Sequence, residues 1–478
     1  MKYKISRLLR DISLRKYLLV AFIAIHVYLA IVLGRLYAFA PDEIGYLFTF
    51  NNIYQLPINL VAQSGSGWIT APTIFLWVLL FPAKIMSLMG VTDVISLRIL
   101  SIAVTTFSLN AILRIQNHRN SNEKLPQLII FSSFMIPSVF LWTTLGMREP
   151  FIIFFLTLFF CGLHHAFEKK LWRSFLYVLF GSYGLLSTKP YLWICLVLAV
   201  LISLVIQFSF RRMNLRFAKF LLITLLLSFV GFASTTSTYA LNFLFNSKIS
   251  ETSTRSGDSI SKITVEVGSE AGSEAGSEVL TEKIRKLETI TFHGDYTLVA
   301  LRTYLLEHPN SLFTRALTLI GIDKSIERIY IEKVRFGLSK ADKSVGLVEP
   351  ALNGHILEPA NIRNPVSILR AASIFLLGPF PFFLDYGFAA NIAALESPMW
   401  WGLYGLVFAQ VLRLRKSEFF TSYGFLFPFI FLLGEIALSA LVEVNLGTSF
   451  RHRSIILIPL LFIYISCRKF NPDKNEFS

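Results

Sequence analysis

Long apolar runs alternate with short charged clusters along this chain. Runs of about 17–25 apolar residues can cross a bilayer as α-helices, and twelve candidates occur, some of them short. They lie near 17–36, 68–89, 94–113, 127–145, 151–168, 171–187, 190–210, 219–240, 366–384, 398–412, 419–442 and 452–467. The pattern predicts an all-α protein, a polytopic bundle of transmembrane helices.

Basic clusters between the runs predict which loops face the cytoplasm. They are Lys2–Lys16, Arg114–Lys124, Lys169–Arg173, Arg211–Lys219, Arg413–Lys416 and Arg468–Lys474. Alternation then assigns the outer side to 37–67, 146–150, 187–190, 241–365 and 443–451. Both termini are therefore expected in the cytoplasm.

The alternation fails at two places, where two apolar runs stand and one crossing is needed. The break Gly378-Pro379-Phe380-Pro381 predicts that 366–384 is an interfacial or re-entrant helix. Pro82 and Lys84 similarly interrupt 68–89. We expect about 10–12 spans, of which about ten are true crossings.

The N-terminus has features of a signal peptide, since a basic segment and an apolar run precede Ala38-Phe39-Ala40. The apolar run from Tyr17 to Leu33 is longer than the usual hydrophobic region of such a peptide. We therefore expect an uncleaved signal anchor.

One long polar stretch, 241–365, divides the chain into three predicted regions. An N-terminal transmembrane region covers 1–240 and includes the first outer catalytic loop at 37–67, and a C-terminal transmembrane region covers 366–478. Within the insertion, a Gly-Ser-Glu-rich tract at 268–278 is followed by helical periodicity. The periodic segments are 279–290, 296–307 and 311–336, with His308-Pro309 as an interruption. The insertion is predicted to form a helical cap on the outer membrane surface.

Composition and charge support a membrane protein. Apolar residues make up 54% of the 478 residues and charged ones only 16%, whereas a soluble chain carries about 25% charged residues. The net charge is +15, yet the insertion holds 15 basic and 16 acidic residues. The basic excess thus lies among the apolar runs, which is typical of cytoplasmic loops rather than of a nucleic-acid-binding face.

An acidic pair, Asp42 and Glu43, follows the first span. Desolvation at a bilayer interface can raise the pKa of a carboxyl group, which suits a general base that takes a proton from a hydroxyl. The alternative is an ordinary Pro-Asp turn at the start of a solvated loop.

Four basic residues fall on the predicted outer face, where the charge rule does not explain them: Arg148, Lys189, Arg451 and Arg453. Guanidinium and ammonium groups bind phosphate through charge-assisted hydrogen bonds, so these residues suit a lipid-linked phosphate. Each could equally be a residue that reaches from a span end to the headgroups. Arg148 and Glu149 could also form a structural ion pair at the start of a helix.

The chain resembles the GT-C superfamily of integral-membrane glycosyltransferases, and more closely the bacterial family 39-like or polysaccharide-assembly membrane proteins. The resemblance rests on the Asp42-Glu43 pair, on Lys189-Pro190-Tyr191, on Gly378-Pro379-Phe380-Pro381-Phe382 and on Asn445-x-Gly-Thr-x-x-Arg451-His-Arg453. Two positions depart from that group. Lys189 stands where arginine is typical, and Phe382 stands where tryptophan is expected.

The resemblance implies an inverting enzyme of polysaccharide biosynthesis in the bacterial cytoplasmic (inner) membrane. It would move a sugar from a polyprenyl-phosphate donor to a cell-envelope glycan or lipid acceptor at the outer face. Asp42 would be the base, and Glu43 would assist it or bind a divalent cation. The four basic residues would hold the phosphate leaving group, and Tyr191 would stack on sugar or lipid. No nucleic acid partner is expected.

Two other functions remain open. A polymerase of lipid-linked oligosaccharides, making O-antigen or exopolysaccharide, would also need outer-face cations. A polysaccharide or lipid transporter is indicated by Glu435, an acidic residue within an apolar run. The sequence has no internal repeat of the kind that most secondary transporters carry.

Overall fold

The computed structural model describes the chain in segments. They are residues 2–36, 38–53, 73–119, 124–167, 170–209, 215–235, 297–319, 323, 326–327, 330, 364–380, 388–413, 423–442 and 446–468. Most of the insertion, including its Gly-Ser-Glu-rich tract and the predicted helix 279–290, lies outside them, as does much of the first outer loop.

Sixteen helices and no strands make up the described segments. They are α1 (Lys2–Val32), α2 (Pro41–Asn52), α3 (Thr73–Leu88), α4 (Asp93–Arg119), α5 (Lys124–Phe134), α6 (Pro137–Thr144), α7 (Glu149–Phe167), α8 (Leu171–Thr188), α9 (Pro190–Ser209), α10 (Leu215–Thr235), α11 (Thr297–Glu307), α12 (Leu312–Leu319), α13 (Pro365–Leu377), α14 (Phe388–Val411), α15 (Tyr423–Val442) and α16 (Leu446–Arg468). The predicted all-α class is confirmed.

Five of these helices are long and apolar enough to cross a membrane, and a sixth span results if α5 and α6 count as one. The five candidate spans are Leu14–Val32, Asp93–Asn117, Glu149–Ala166, Pro190–Ser209 and Gly424–Leu441. By this criterion the described segments hold fewer spans than the 10–12 predicted. Part of the reason is length, since three further apolar helices have fewer than 18 described residues: Phe75–Leu88, Ala218–Gly231 and Pro365–Leu377. α16 in addition carries three arginines.

Apolar side chains cover the outside of several helices, as a bilayer environment requires. On α9, Val205 is 65% exposed, and on α10 Leu226 is 61% exposed. Contiguous apolar surface of this kind marks contact with lipid or with another protein. Together with the candidate spans, it indicates a multi-pass membrane protein.

Prolines and glycines set the local breaks between helices. The predicted run 127–145 is two helices, because α6 begins at Pro137 after a bend of 63°. The run 366–384 is helical only to Leu377, which lies directly before the predicted break, and Gly378-Pro379 is a cis peptide bond. Asn364 begins this helix by accepting hydrogen bonds from the amides of Val366 and Ser367.

α7 and α8 are antiparallel and pack closely, because glycines lie where they touch. A Cβ at Gly181 would come 2.7 Å from the backbone of Phe159, and one at Gly184 would overlap the Phe155 ring. Small residues let helices approach in this way within membranes. The approach brings the end of α8 next to the start of α7, which positions the candidate site.

A buried polar chain ties α8 to the two helices that follow it. The indole Nε1 of Trp193 donates to Ser182 Oγ at 2.7 Å, and Ser182 Oγ lies 2.6 Å from Ser228 Oγ. Hydrogen bonds between helices stabilise packing where no water is present.

The chain divides into two compact units. The first comprises Met1–Thr235, Glu396–Glu435 and Arg451–Ser478, and the second comprises Thr236–Leu395 and Ile436–Phe450. This division does not test the three predicted regions. In the second unit, α11 matches the predicted helix 296–307, and a turn from His308 to Ser311 leads into α12.

The second unit has a small core of its own. Ile326 and Tyr330 are buried there against side chains of α11 and α12, namely Val299, Leu301, Leu305 and Leu317. Arg302 lies 4.2 Å above the Tyr330 ring and forms an ion pair with Glu327 at 2.6 Å. The residues of the candidate site all belong to the first unit.

Candidate functional site

The candidate site lies where α7 begins and α8 ends. Arg148 immediately precedes α7, and its carbonyl accepts from the amide of Ile152 in the first turn. Lys189 is the single residue between α8 and α9; its side chain is buried, with 2% of it exposed. Because α7 and α8 are antiparallel, these two cations come to the same end of the helix pair.

Glu149 is the carboxylate around which the cations gather. It is completely buried, and its Oε1 lies 2.9 Å from Nε of Arg451 on α16. Arg148, Lys189 and His452 also lie within electrostatic range of this carboxylate. The structure therefore brings together Arg148, Lys189 and Arg451, three of the four basic residues that sequence analysis selected.

Two tyrosines lie within this charged cluster. The Lys189 ammonium is 4.9 Å from the centre of the Tyr191 ring, a cation–π contact. Tyr46 of α2 and Tyr191 are both within electrostatic range of Arg148. We call Arg148, Glu149, Lys189, Tyr191 and Arg451 the Glu149 cluster. Its cations outnumber its carboxylate, which favours binding of an anion.

Arg453 has its described contacts in a second cluster. Its guanidinium lies 6.0 Å from the Trp400 ring and within electrostatic range of Tyr404 and Glu396. Residues two apart on an α-helix point about 200° away from each other, so Arg451 and Arg453 face different neighbours. The predicted phosphate-binding role of Arg453 stays a prediction, and this geometry does not support it.

Glu396 of α14, which sequence analysis did not select, is the carboxylate of this second cluster. It accepts hydrogen bonds from Trp400 Nε1, at 2.8 Å, and from the amide of Ser138 at the start of α6. A carboxylate at a helix N-terminus complements the free amides there. Glu396 thus fixes the start of the helix that leads towards Arg148.

The two acidic candidates of the first loop lie in the first turn of α2 rather than in a loop. The side chain of Asp42 lies outside the described part of the chain, and its role as a base stays a prediction. Its backbone is one turn before Tyr46 on the same helix, and Tyr46 is close to Arg148. α2 therefore borders the Glu149 cluster.

Glu43 is held by a buried arginine, Arg98, which sequence analysis missed. Nε and Nη2 of Arg98 each donate to one carboxylate oxygen at 2.8 Å, and both side chains are at most 2% exposed. The amides of Gly146 and Phe39 donate to the same oxygens at 2.9 and 2.7 Å. An ionised carboxylate has about four acceptor positions, so these bonds fill them. The predicted roles of Glu43, assisting the base or binding a cation, remain untested.

Arg98 also satisfies the end of α1. Its Nη1 donates to the carbonyls of Ala30 and Gly34 at 2.9 and 2.7 Å, and such terminal carbonyls have no partner within their own helix. Burial would raise the pKa of Glu43, but the Arg98 guanidinium and the two amides outweigh this and lower it. The pair therefore joins α1, α2, α4 and the turn before α7.

Metal ligands are absent from the part of the chain that the structure describes, where no three His, Cys, Asp or Glu side chains come together to hold an ion. Cys161, Cys195 and Cys467 are free and belong to apolar helices, as packing residues would. The divalent cation predicted beside Glu43 stays a prediction.

Comparison with protein-family models, with curated proteins and with solved structures gave no match.

Proposed function

We propose that the protein is a membrane glycosyltransferase that moves a sugar from a polyprenyl-phosphate donor to a glycan or lipid acceptor of the cell envelope. One observation carries the proposal: Arg148, Lys189 and Arg451 surround a single buried carboxylate at the ends of apolar helices. An excess of buried positive charge beside lipid suits an anionic headgroup on a lipid tail.

The location of the cluster supports a lipid-linked ligand over a soluble one. The helices that carry its residues include two candidate spans, Glu149–Ala166 and Pro190–Ser209. A lipid headgroup lies at the ends of such spans, whereas its tail needs the apolar surface between them. Alternation of the charged loops predicts that this end faces the outer side, with both termini in the cytoplasm. The resemblance to GT-C enzymes implies that the membrane is a bacterial inner membrane.

The transfer would proceed by inversion at the anomeric carbon. Asp42 takes the proton of the acceptor hydroxyl, whose oxygen forms the new bond to that carbon. The bond from the carbon to the phosphate oxygen breaks, and the phosphate leaves with the electron pair and one additional negative charge. Arg148, Lys189 and Arg451 stabilise that charge as it develops, which is commonly the largest catalytic contribution.

The test is sugar transfer by membranes that contain the full chain. A polyprenyl-phosphate donor with a radiolabelled sugar is supplied, and labelled glycan or lipid product is extracted. We expect Asp42→Asn to lower transfer by about 10²–10⁴-fold, the contribution of a general base. Glu307→Gln, at an exposed position of α11, is the control and should be fully active. Full transfer by Asp42→Asn, in protein that is folded and inserted, would overturn the proposed mechanism.

Product length separates a single-sugar transferase from a polymerase. In cells that lack the chain, a truncated repeat unit indicates the transferase. Accumulated complete single units indicate a polymerase.

A transporter is the second candidate, and Glu435 favours it. This carboxylate is completely buried within the candidate span Gly424–Leu441. It is next to Gly434, where an added Cβ would lie 3.7 Å from Sγ of Cys195 on α9. Ionisable residues inside spans commonly mark transport pathways. If Glu435→Gln abolishes the function of the protein while Asp42→Asn leaves that function intact, transport is favoured in place of glycosyl transfer.

A further inference from the structure

The place of an anion within the Glu149 cluster is already taken by a side chain of the protein. Glu149 is completely buried, and Arg451 lies 2.9 Å from it. Among the described residues, neither carboxylate oxygen of Glu149 makes a hydrogen bond. The described residues thus contact Glu149 through charge, at 2.9 Å from Arg451, without a hydrogen bond directed at its oxygens.

This is unusual for a buried carboxylate, which ordinarily gathers hydrogen bonds. Glu43 in the same unit accepts four of them. A carboxylate fixed by several directed bonds is costly to displace, whereas one held by charge alone can exchange its partner. Glu149 has the properties of a counter-ion that a ligand can replace.

We propose that Glu149 is a built-in competitor for the anion site, so that the site selects a diphosphate over a phosphodiester with one negative charge. The inference rests on the proposed function, because it takes the Glu149 cluster as the site of the donor phosphate. It changes the donor of that function from a sugar joined to polyprenol through one phosphate, which is a phosphodiester, to a sugar joined through two phosphates.

The first reason to expect selectivity for a diphosphate is that the ligand competes with a carboxylate tethered to the same chain. Glu149 is part of the chain, and its effective concentration at Arg451 is therefore high. A ligand with one negative charge offers Arg451 the same charge that Glu149 already supplies. A second negative charge gives the ligand an advantage, since the attraction to the cations grows in proportion to charge.

The second reason to expect selectivity for a diphosphate is the charge balance of the Glu149 cluster. Arg148, Lys189 and Arg451 face one carboxylate, which leaves two positive charges in excess among the side chains that the structure describes. A phosphodiester would neutralise one of them. A diphosphate esterified at both ends carries two negative charges and would neutralise both.

Binding to the purified full-length chain in detergent tests the inference without knowledge of the sugar. The probes are symmetrical dimethyl diphosphate, with two negative charges, and dimethyl phosphate, with one, both measured by isothermal titration calorimetry. We expect the unaltered chain to bind the diphosphate at least about tenfold more tightly, the equivalent of one additional charge-assisted hydrogen bond.

Glu149→Gln should weaken this selectivity. With the competing charge removed, Glu149→Gln should bind dimethyl phosphate about tenfold more tightly than the unaltered chain does. Its affinity for dimethyl diphosphate should rise by a smaller factor. Glu307→Gln is the control, because it removes the same charge at an exposed position of α11, outside the Glu149 cluster. Its affinities for both probes should stay unchanged.

A second comparison applies if Glu149→Gln fails to fold. Arg451→Gln should bind both probes weakly, since one cation is lost while the competitor remains. Arg451→Gln/Glu149→Gln removes both partners, which a buried site tolerates better than the loss of one. We expect the double variant to bind dimethyl phosphate about tenfold more tightly than Arg451→Gln alone.

The possible failures are distinguishable. If the probes bind, and Arg451→Gln weakens them, but removal of Glu149 leaves selectivity unchanged or lowers affinity, the competitor role is overturned while the phosphate site stands. If neither probe binds, or if Arg451→Gln and Lys189→Met leave binding unaffected, the phosphate site and the proposed function fail together.

Discussion

Two buried Arg–Glu ion pairs of the first unit, Arg98–Glu43 and Arg451–Glu149, differ in how they are held. Glu43 accepts two hydrogen bonds from Arg98 and two from backbone amides. Glu149 is paired with Arg451 by charge and makes no hydrogen bond among the described residues. Charge and burial alone therefore do not identify a functional carboxylate. The number of directed bonds separates a pair that fixes the structure from one that can exchange partners.

The largest expected effect is the loss of the Arg98–Glu43 pair. Arg98→Met would leave Glu43 buried without its cation and the carbonyls of Ala30 and Gly34 without a donor. We expect a loss of about 3–5 kcal/mol of stability, measured by thermal unfolding in detergent. Lys16→Met, an exposed cation of α1, is the control. If Arg98→Met unfolds at the same temperature as Lys16→Met, the Arg98–Glu43 pair does not stabilise the fold.

Gly146→Ala should disturb both pairs at once. The amide of Gly146 donates to Glu43, and a Cβ there would lie 2.8 Å from Cγ and Cδ2 of Leu97, next to Arg98. Overpacking of this kind costs about 1–3 kcal/mol, and the shifted turn should also weaken dimethyl diphosphate binding at the nearby Arg148. Gly402→Ala is the control, since a Cβ at Gly402 meets nothing within 4 Å. Equal stability of the two variants would contradict this account.

Lowering the pH should weaken the Arg98–Glu43 ion pair. The pKa of Glu43 is lower in the folded chain than its ordinary value. The stability that the pair supplies is therefore fully present above the unfolded value of about 4.3, and it is lost as the pH falls through the lower folded value. Thermal midpoints between pH 7 and pH 3 should fall less in Glu43→Gln than in the unaltered chain. Parallel curves for the two proteins would exclude this contribution.

The smallest stability effect is expected for the second pair. Arg451→Gln should cost less stability than Arg98→Met, because Glu149 keeps two other cations, Arg148 and Lys189, within electrostatic range and is not left uncompensated. The same unfolding assay serves as for Arg98→Met. A loss as large as that of Arg98→Met would mean that both pairs are structural, and the contrast between them would disappear.

Much of the fold could be predicted from the sequence, because apolar runs and prolines act locally. Periodicity predicted the all-α class and a helix over 296–307, which the structure has at 297–307. Gly378 and Pro379 predicted the break before which α13 ends. The bend within 127–145 was missed, although Pro137 was visible there. The number of spans was the weaker prediction, since it depends on how many polar residues a helix can carry into a bilayer.

The site could be predicted only in part. Charge alternation placed 146–150 and 187–190 on one side, and the structure brings Arg148 and Lys189 to one end of the helix pair. Arg451 and Arg453 were assigned together because 443–451 was taken as a loop. α16 in fact begins at Leu446, so helical geometry separates the two side chains. Arg98 was missed because it lies within an apolar run, and its partner is 55 residues away.

That separation along the chain has a consequence for synthesis. At about 5–20 residues per second, Arg98 leaves the ribosome roughly 3–11 s after Glu43, and Gly146, 103 residues after Glu43, follows later still. During insertion, the Glu43 carboxylate therefore has to stay in contact with water until α4 arrives. The contacts of Glu43 therefore form in a fixed order: α1 and α2 cannot complete their packing before α4 is inserted, and the bond from Gly146 can form only after that.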